Sequence, residues 1–197
     1  MPTSHRAPRL LIIPGLHDSG PTHWQTWLQG RFDGAQRVRQ RDWKSLDLER
    51  WAERIGTTLE HAGEGPWIAA AHSFGCLALA RHLQLRPDSS IRAALFVAPA
   101  EPDKFGVAGL LPQRRLAIAS AVVASDTDPW MSTASARRWA QRWGASYTSL
   151  GDAGHINAAS GYGPLPLALH WVDAARDRLA RELQPEGAEV PEGSFAT

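Results

Sequence analysis

Cysteine is nearly missing from this chain of 197 residues, and the one thiol, Cys76, has no partner for an internal disulfide. A disulfide-stapled scaffold is therefore excluded. Long apolar runs are missing too. The N-terminal run Leu10-Leu11-Ile12-Ile13 is too short for the core of a signal peptide and far too short to span a membrane. Neither sign of charge is in excess, with 21 Lys and Arg against 20 Asp and Glu and a net charge of +1. No basic block of the kind that tracks phosphates occurs: Arg37, Arg39 and Arg41 alternate, while Arg114-Arg115 and Arg137-Arg138 are isolated pairs, as on a solvated surface. These absences argue against nucleic acid or a membrane as partner and place the chain, as an expectation, in the cytoplasm. Zinc-motif spacing is likewise absent. His17, Asp18 and His23 share one segment without it, so they read as the polar rim of a substrate pocket, with no metal and no cofactor expected.

What is present is the composition of one soluble globular domain, 43% hydrophobic and 21% charged. Strand and helix signals alternate along it. Strand-like runs cover residues 9–14, 36–41, 67–71, 93–97, 120–124 and 145–150. Helical patterns cover residues 22–31, the stretch after Asp47 in which Leu48, Trp51, Ala52, Ile55 and Leu59 recur at helical spacing, residues 74–85, 133–143 and 165–183. In the last of these, Leu165, Leu169, Val172, Leu179 and Leu183 form the expected apolar stripe. Alternating β and α with short connections predicts an α/β fold, a three-layer sandwich of about six mostly parallel strands with helices on both faces. One domain is expected over residues 9–183, with a flexible start at 1–8 and a disordered tail at 184–197 that is rich in Glu, Pro and Gly.

Ala71-His72-Ser73-Phe74-Gly75 joins the third strand to the following helix. A serine on such a tight turn is exposed above the sheet, and small residues two before and two after it are required because the turn is strained and crowded. Ala71 and Gly75 meet that need. In a parallel sheet the active site lies at the carboxyl ends of the strands. There the sequence places Leu16-His17-Asp18 after the first strand, Ser73 after the third, Ser125-Asp126-Thr127-Asp128 after the fifth and Gly154-His155 after the sixth. A serine, an acid and a histidine in that order, all at one edge, match the triad order of α/β-hydrolases, with Asp126 and Asp128 both available as the acid.

Ile13-Pro14-Gly15, Thr22-His23-Trp24-Gln25, Gln40-Arg41-Asp42-Trp43, His72-Ser73-Phe74-Gly75-Cys76, Ala124-Ser125-Asp126-Thr127-Asp128-Pro129 and Ala153-Gly154-His155-Ile156-Asn157 together give a likeness that spans residues 9–180. On these motifs the chain resembles the small, lidless α/β-hydrolases that include retinoblastoma-binding protein nine and its bacterial relatives. The resemblance implies an α/β-hydrolase fold and serine hydrolase chemistry on small acyl esters or related acyl compounds, with Ser73 as nucleophile and His155 as base. It also selects Asp128 as the acid, since the family's acid directly precedes a proline, here Pro129. The backbone N–H groups of Leu16 and Phe74 are the implied oxyanion hole, the second at a helix N-terminus where negative charge is favoured. The Leu-x-Cys-x-Glu segment of the vertebrate member does not occur, so its protein partner is not carried over. The alternative class is a non-catalytic interaction module on a hydrolase scaffold, which would have no need to keep Ser73, Asp128 and His155 together; peptidase, thioesterase or lactonase action is a variant within the first class.

The other candidates have plainer readings. Cys76 falls on the helix under the sheet and reads as a buried structural thiol, and His72 as structural. His5, His61, His82 and His170 read as surface or helix histidines. Of the nine tryptophans, Trp24, Trp27, Trp51, Trp139, Trp143 and Trp171 sit on helix stripes, whereas Trp130 follows Asp128-Pro129 and is a candidate for the substrate pocket. Residues 99–119 are too few and too interrupted by Pro and Gly for a cap domain. They predict a short flap with Phe105, Val107, Leu110 and Leu111 as its apolar face.

Overall fold

The computed structural model describes residues 7–183; the expected disordered tail lies outside them, as does the expected flexible start apart from Ala7 and Pro8. Six strands, β1 (Arg9–Ile13), β2 (Gln36–Arg37), β3 (Trp67–His72), β4 (Ile91–Val97), β5 (Ala119–Ala124) and β6 (Ser146–Ser149), form one sheet in the order β2-β1-β3-β4-β5-β6 with every pairing parallel. Among the described residues five α-helices accompany them, the last following β6: α1 (Trp24–Gln29), α2 (Leu48–Ala62), α3 (Phe74–Leu85), α4 (Thr133–Trp143) and α5 (Pro166–Glu182). The pleat sends alternate side chains of each strand to opposite faces. Leu11 and Ile13 of β1 therefore join a core with Trp51 and Ile55 of α2, Leu77 of α3 and Trp139 of α4. Leu10 and Ile12 join a second core with Trp24 and Leu28 of α1 and Val172 of α5. The result is the three-layer α/β-hydrolase fold.

Local chemistry moves several boundaries from their sequence expectation. Helix α1 is shorter than residues 22–31 because His23 takes the N-cap position and accepts from the Gln25 N–H. Strand β2 is only two residues long: after Val38, whose N–H reaches the Ile12 C=O, the chain leaves the sheet. The buried stripe of α5 runs through Leu165, Ala168, Val172, Ala175 and Leu179, so Leu169 and Leu183 are only partly covered. Leu110 points outward from the expected apolar face of the flap, while Phe105 stacks edge-on against Phe74 at 5.1 Å and Val107 and Leu111 are buried. The flap consists of two short 3-10 turns, Pro102–Phe105 and Ala108–Leu110, and no cap domain is present among the described residues. His82 is on a helix as expected but is buried, held by the Ala52 C=O and the Ser89 hydroxyl. Cys76 is buried with its thiol against the Val97 C=O, and burial pushes its pKa well up. No helix among the described residues is long and apolar enough to cross a membrane.

Candidate active site

The turn after β3 holds Ser73 at φ 54° and ψ −125°, a left-handed conformation that L-residues adopt only under strain of about 1–3 kcal/mol. Close packing imposes it. A Cβ on Gly75 would overlap the carbonyl oxygens of Pro14 and Ile13, so α3 can approach the end of β1 only with glycine there. Ala71 is fully buried beneath the turn.

The loop after β6 brings His155 across the sheet edge to the serine. Gly154 takes φ 53° with the Ser160 hydroxyl where a Cβ would sit, and that same hydroxyl accepts from the His155 N–H at 3.2 Å. The His155 Nε2 lies 2.9 Å from Ser73 Oγ, and its Nδ1 lies 2.9 Å from Asp128 Oδ1 and 3.0 Å from Oδ2. A carboxylate can only accept, so Nδ1 carries the ring hydrogen and Nε2 is free to accept from the Ser73 hydroxyl. Asp128 is closed off from solvent, its side chain 3% exposed, and its Oδ1 also accepts from the Trp130 N–H at 2.9 Å. Asp126 is elsewhere: its Oδ1 accepts from the Thr133 and Ser149 hydroxyls.

Two hydroxyls, unnoticed in the sequence, lace the Asp128 loop to the His155 loop. Ser125 Oγ donates to the Gly151 C=O and accepts from the Ala153 N–H, while Thr127 Oγ1 donates to Asp152 and accepts from the Gly154 N–H. His72 adds a third tie, its Nε2–H donating to the His155 C=O at 2.9 Å. Burial first, then the His155 and His23 rings, push the His72 pKa well below the ordinary histidine value, so it stays neutral in this role.

These groups face a cavity of about 360 Å³ lined by Leu16, His17, Asp18, His23, Ser73, Phe105, Trp130, His155 and Asn157 among others. All four pocket residues expected from the sequence are thus brought together. Asn157 and Ala100 were not anticipated, and Phe105 enters from the flap. Trp130, 47% exposed, forms the rim, with its C=O and that of Pro129 accepting from the Lys104 ammonium. Asp18 is paired with the largely buried Arg37 at 3.0 Å. His17 and Asp18 both take positive φ, 67° and 63°. The Leu16 and Phe74 N–H groups donate to no other described residue and are available at the ends of β1 and β3. Among the described residues no group of three or more His, Cys, Asp or Glu is arranged to hold a metal ion.

Comparison with known proteins bears on the family and the fold. The family model described as serine hydrolase matches residues 10–174. A YdeN-like hydrolase from Pectobacterium atrosepticum is 36% identical, with a TM-score of 0.82 over 87% of this chain and 92% of that one. The ydeN gene product of B. subtilis is 22% identical, with a TM-score of 0.69 over 85% of this chain and 97% of that one. Est1E from Butyrivibrio proteoclasticus, in a structure with ferulic acid bound, is 14% identical and shares the fold, with a TM-score of 0.63 over 92% of each chain. No curated protein matches the chain.

Proposed function

This chain belongs to the serine hydrolase family, and from that premise we propose that it is a carboxylesterase acting on small acyl esters through an acyl-enzyme on Ser73. The observation that carries the reading is the unbroken line from Ser73 Oγ through His155 to Asp128, with both hydrogen bonds at 2.9 Å, opening on one cavity. Ser73 Oγ attacks the ester carbonyl carbon as His155 Nε2 takes its proton. Asp128 keeps the imidazole in the tautomer that can accept and stabilises the imidazolium that forms. Charge on the carbonyl oxygen is met by the Leu16 and Phe74 N–H groups, the loss of one such donor being worth about 3 kcal/mol in related sites. Collapse expels the alcohol, which leaves with the proton from His155. Water then repeats the sequence on the acyl-enzyme, releasing the acid and restoring Ser73. The small cavity and the short flap over it favour short acyl groups over long-chain lipids. The motifs around these residues support a place beside the lidless hydrolases akin to retinoblastoma-binding protein nine, with a small-molecule acyl substrate as the partner.

The test is labelling of the purified protein with a fluorophosphonate probe alongside hydrolysis of an activated short-chain ester. Ser73→Ala should abolish both and leave the fold intact. Labelling that persists in the variant, or that moves to Cys76, would overturn the nucleophile assignment.

A further inference from the structure

His23 lies at the entrance of α1, only 5% exposed, on the wall of the same cavity as Ser73 and His155. The Gln25 N–H donates to its Nδ1 at 3.1 Å, so the hydrogen of the neutral ring must sit on Nε2. Burial first, then the nearby Arg37 guanidinium and His155, lower its pKa to about 4, so the ring is neutral near pH 7. Its orientation is fixed. The ring packs edge-on against His72 at 4.8 Å, and His72 in turn lies 4.8 Å from the His155 ring. The Nε2–H meets no acceptor among the described residues, its nitrogen is not closed off from solvent, and the ring borders the cavity.

A second donor repeats the pattern. The Asn157 Oδ1 accepts from both the Ser160 N–H and hydroxyl, which leaves the amide hydrogens of Asn157 for the cavity it lines. The carboxylate on the same wall has its charge paired and one oxygen taken up, Asp18 Oδ1 accepting from the Ser19 N–H and from Arg37. His23 and Asn157 thus offer the cavity donors, set among the apolar surfaces of Phe105, Ala100 and Trp130. An all-hydrocarbon acyl group that displaced water from it would leave a buried N–H without a partner, which is costly.

We infer that His23 is a specificity-determining residue: its Nε2–H donates a hydrogen bond to an oxygen of the acyl group near the scissile carbonyl, and the substrate class is an alkoxy- or hydroxy-acyl ester in preference to a plain alkyl ester of equal length. This rests on the reading of Ser73 as the nucleophile of an esterase. Shape alone discriminates weakly between isosteres, whereas a fixed buried donor discriminates strongly against a substrate that lacks the acceptor.

The experiment compares p-nitrophenyl methoxyacetate with p-nitrophenyl butyrate, equal in chain length, in the wild type and in His23→Ser. Serine can still cap α1 but does not reach into the cavity. Comparing the ratio of kcat/KM for the two esters between the variant and the wild type cancels their unequal intrinsic reactivity. His23→Ser should lower kcat/KM for the methoxyacetate and spare or raise it for the butyrate, which no longer strands a buried N–H, so that the methoxyacetate-to-butyrate ratio falls by about tenfold relative to wild type. An unchanged ratio, with both esters losing equally, would mean that His23 only caps the helix and would overturn the inference. His23→Thr, another capping residue, gives the same reading if the serine variant does not fold. Fluorophosphonate labelling separates the two levels. A wild type that labels at Ser73 with no ratio change refutes the role of His23 alone, whereas a wild type that neither labels nor turns over either ester removes the esterase reading and this inference with it.

Discussion

Asp126 and Asp128 are two positions apart in one loop, yet their carboxylates do different work. Asp128 is enclosed and bonds His155 Nδ1 at 2.9 Å, while Asp126 ties Thr133 of α4 to Ser149 of β6 from an exposed position. Asp128→Asn should leave the fold intact and lower kcat by about four orders of magnitude, since an amide neither fixes the imidazole tautomer nor stabilises its positive charge. Asp126→Asn retains an amide oxygen that can accept from both hydroxyls, and should cost less than about tenfold. Steady-state rates of the two variants decide the matter, and the reverse ranking would sink the assignment. The serine and histidine were legible from type, order and position at strand ends. The acid was not, because two residues apart in an extended chain point the same way; only the Asp-Pro pattern of the resembled family separated them. The laces made by Ser125 and Thr127 left no periodic trace, because a loop hydroxyl is read only once its partner, 25 or more residues away, is in place.

At the scale of elements, the loop after β1 must hold the Leu16 N–H in place while His17 and Asp18 sit in strained conformations. Two elements clamp it. Arg37 of β2 reaches Asp18 and the Ser19 C=O together with Thr26 and Gln29 of α1, and the buried Gln25 amide of α1 donates to the ends of β1 and β3 while accepting from Ser19. Arg37→Met keeps the apolar stem and removes every donor, leaving Asp18, about a third exposed, without its charge partner. Stability should fall by about 1–3 kcal/mol in urea denaturation. The kcat for an activated ester should also fall, since relaxing this loop moves a proposed oxyanion donor. Lost stability with unchanged kcat would confine Arg37 to folding. The alternation of elements was legible because strands buried on both faces read as continuous β-formers and surface helices as stripes. The ends were less so. A histidine is an unusual cap, and β2 stops at two residues for tertiary reasons, its arginine being drawn into the clamp.

Across the whole molecule, backbone strain gathers at one edge of the sheet. All five non-glycine residues with positive φ among those described, His17, Asp18, Ser73, Ala98 and Ile156, follow a strand at its carboxyl end. Buried neutral histidines add a dependence on pH. His23 and His72 at that edge, and His82 under α2, all have lowered pKa values, desolvation being the largest cause, with His23 and His82 each at about 4 against 6.5 for a free ring. Their folded-state values lie below their unfolded ones, so the unfolded chain takes up protons first as pH falls. The stability these rings lend is complete above about pH 6.5, is lost progressively between there and about pH 4, and levels off below, where the native rings also protonate. Full loss is worth about 3 kcal/mol for each of His23 and His82, and two such losses approach the whole stability of an ordinary domain. Urea midpoints measured at pH 7.5, 6 and 5 should therefore drop steeply. His82→Asn, remote from the cavity and able to keep a donor toward the Ala52 C=O, removes one titration. It should lose about 2 kcal/mol less than wild type between pH 7.5 and 5, and parallel pH profiles for the two proteins would show that His82 is not held neutral by the fold.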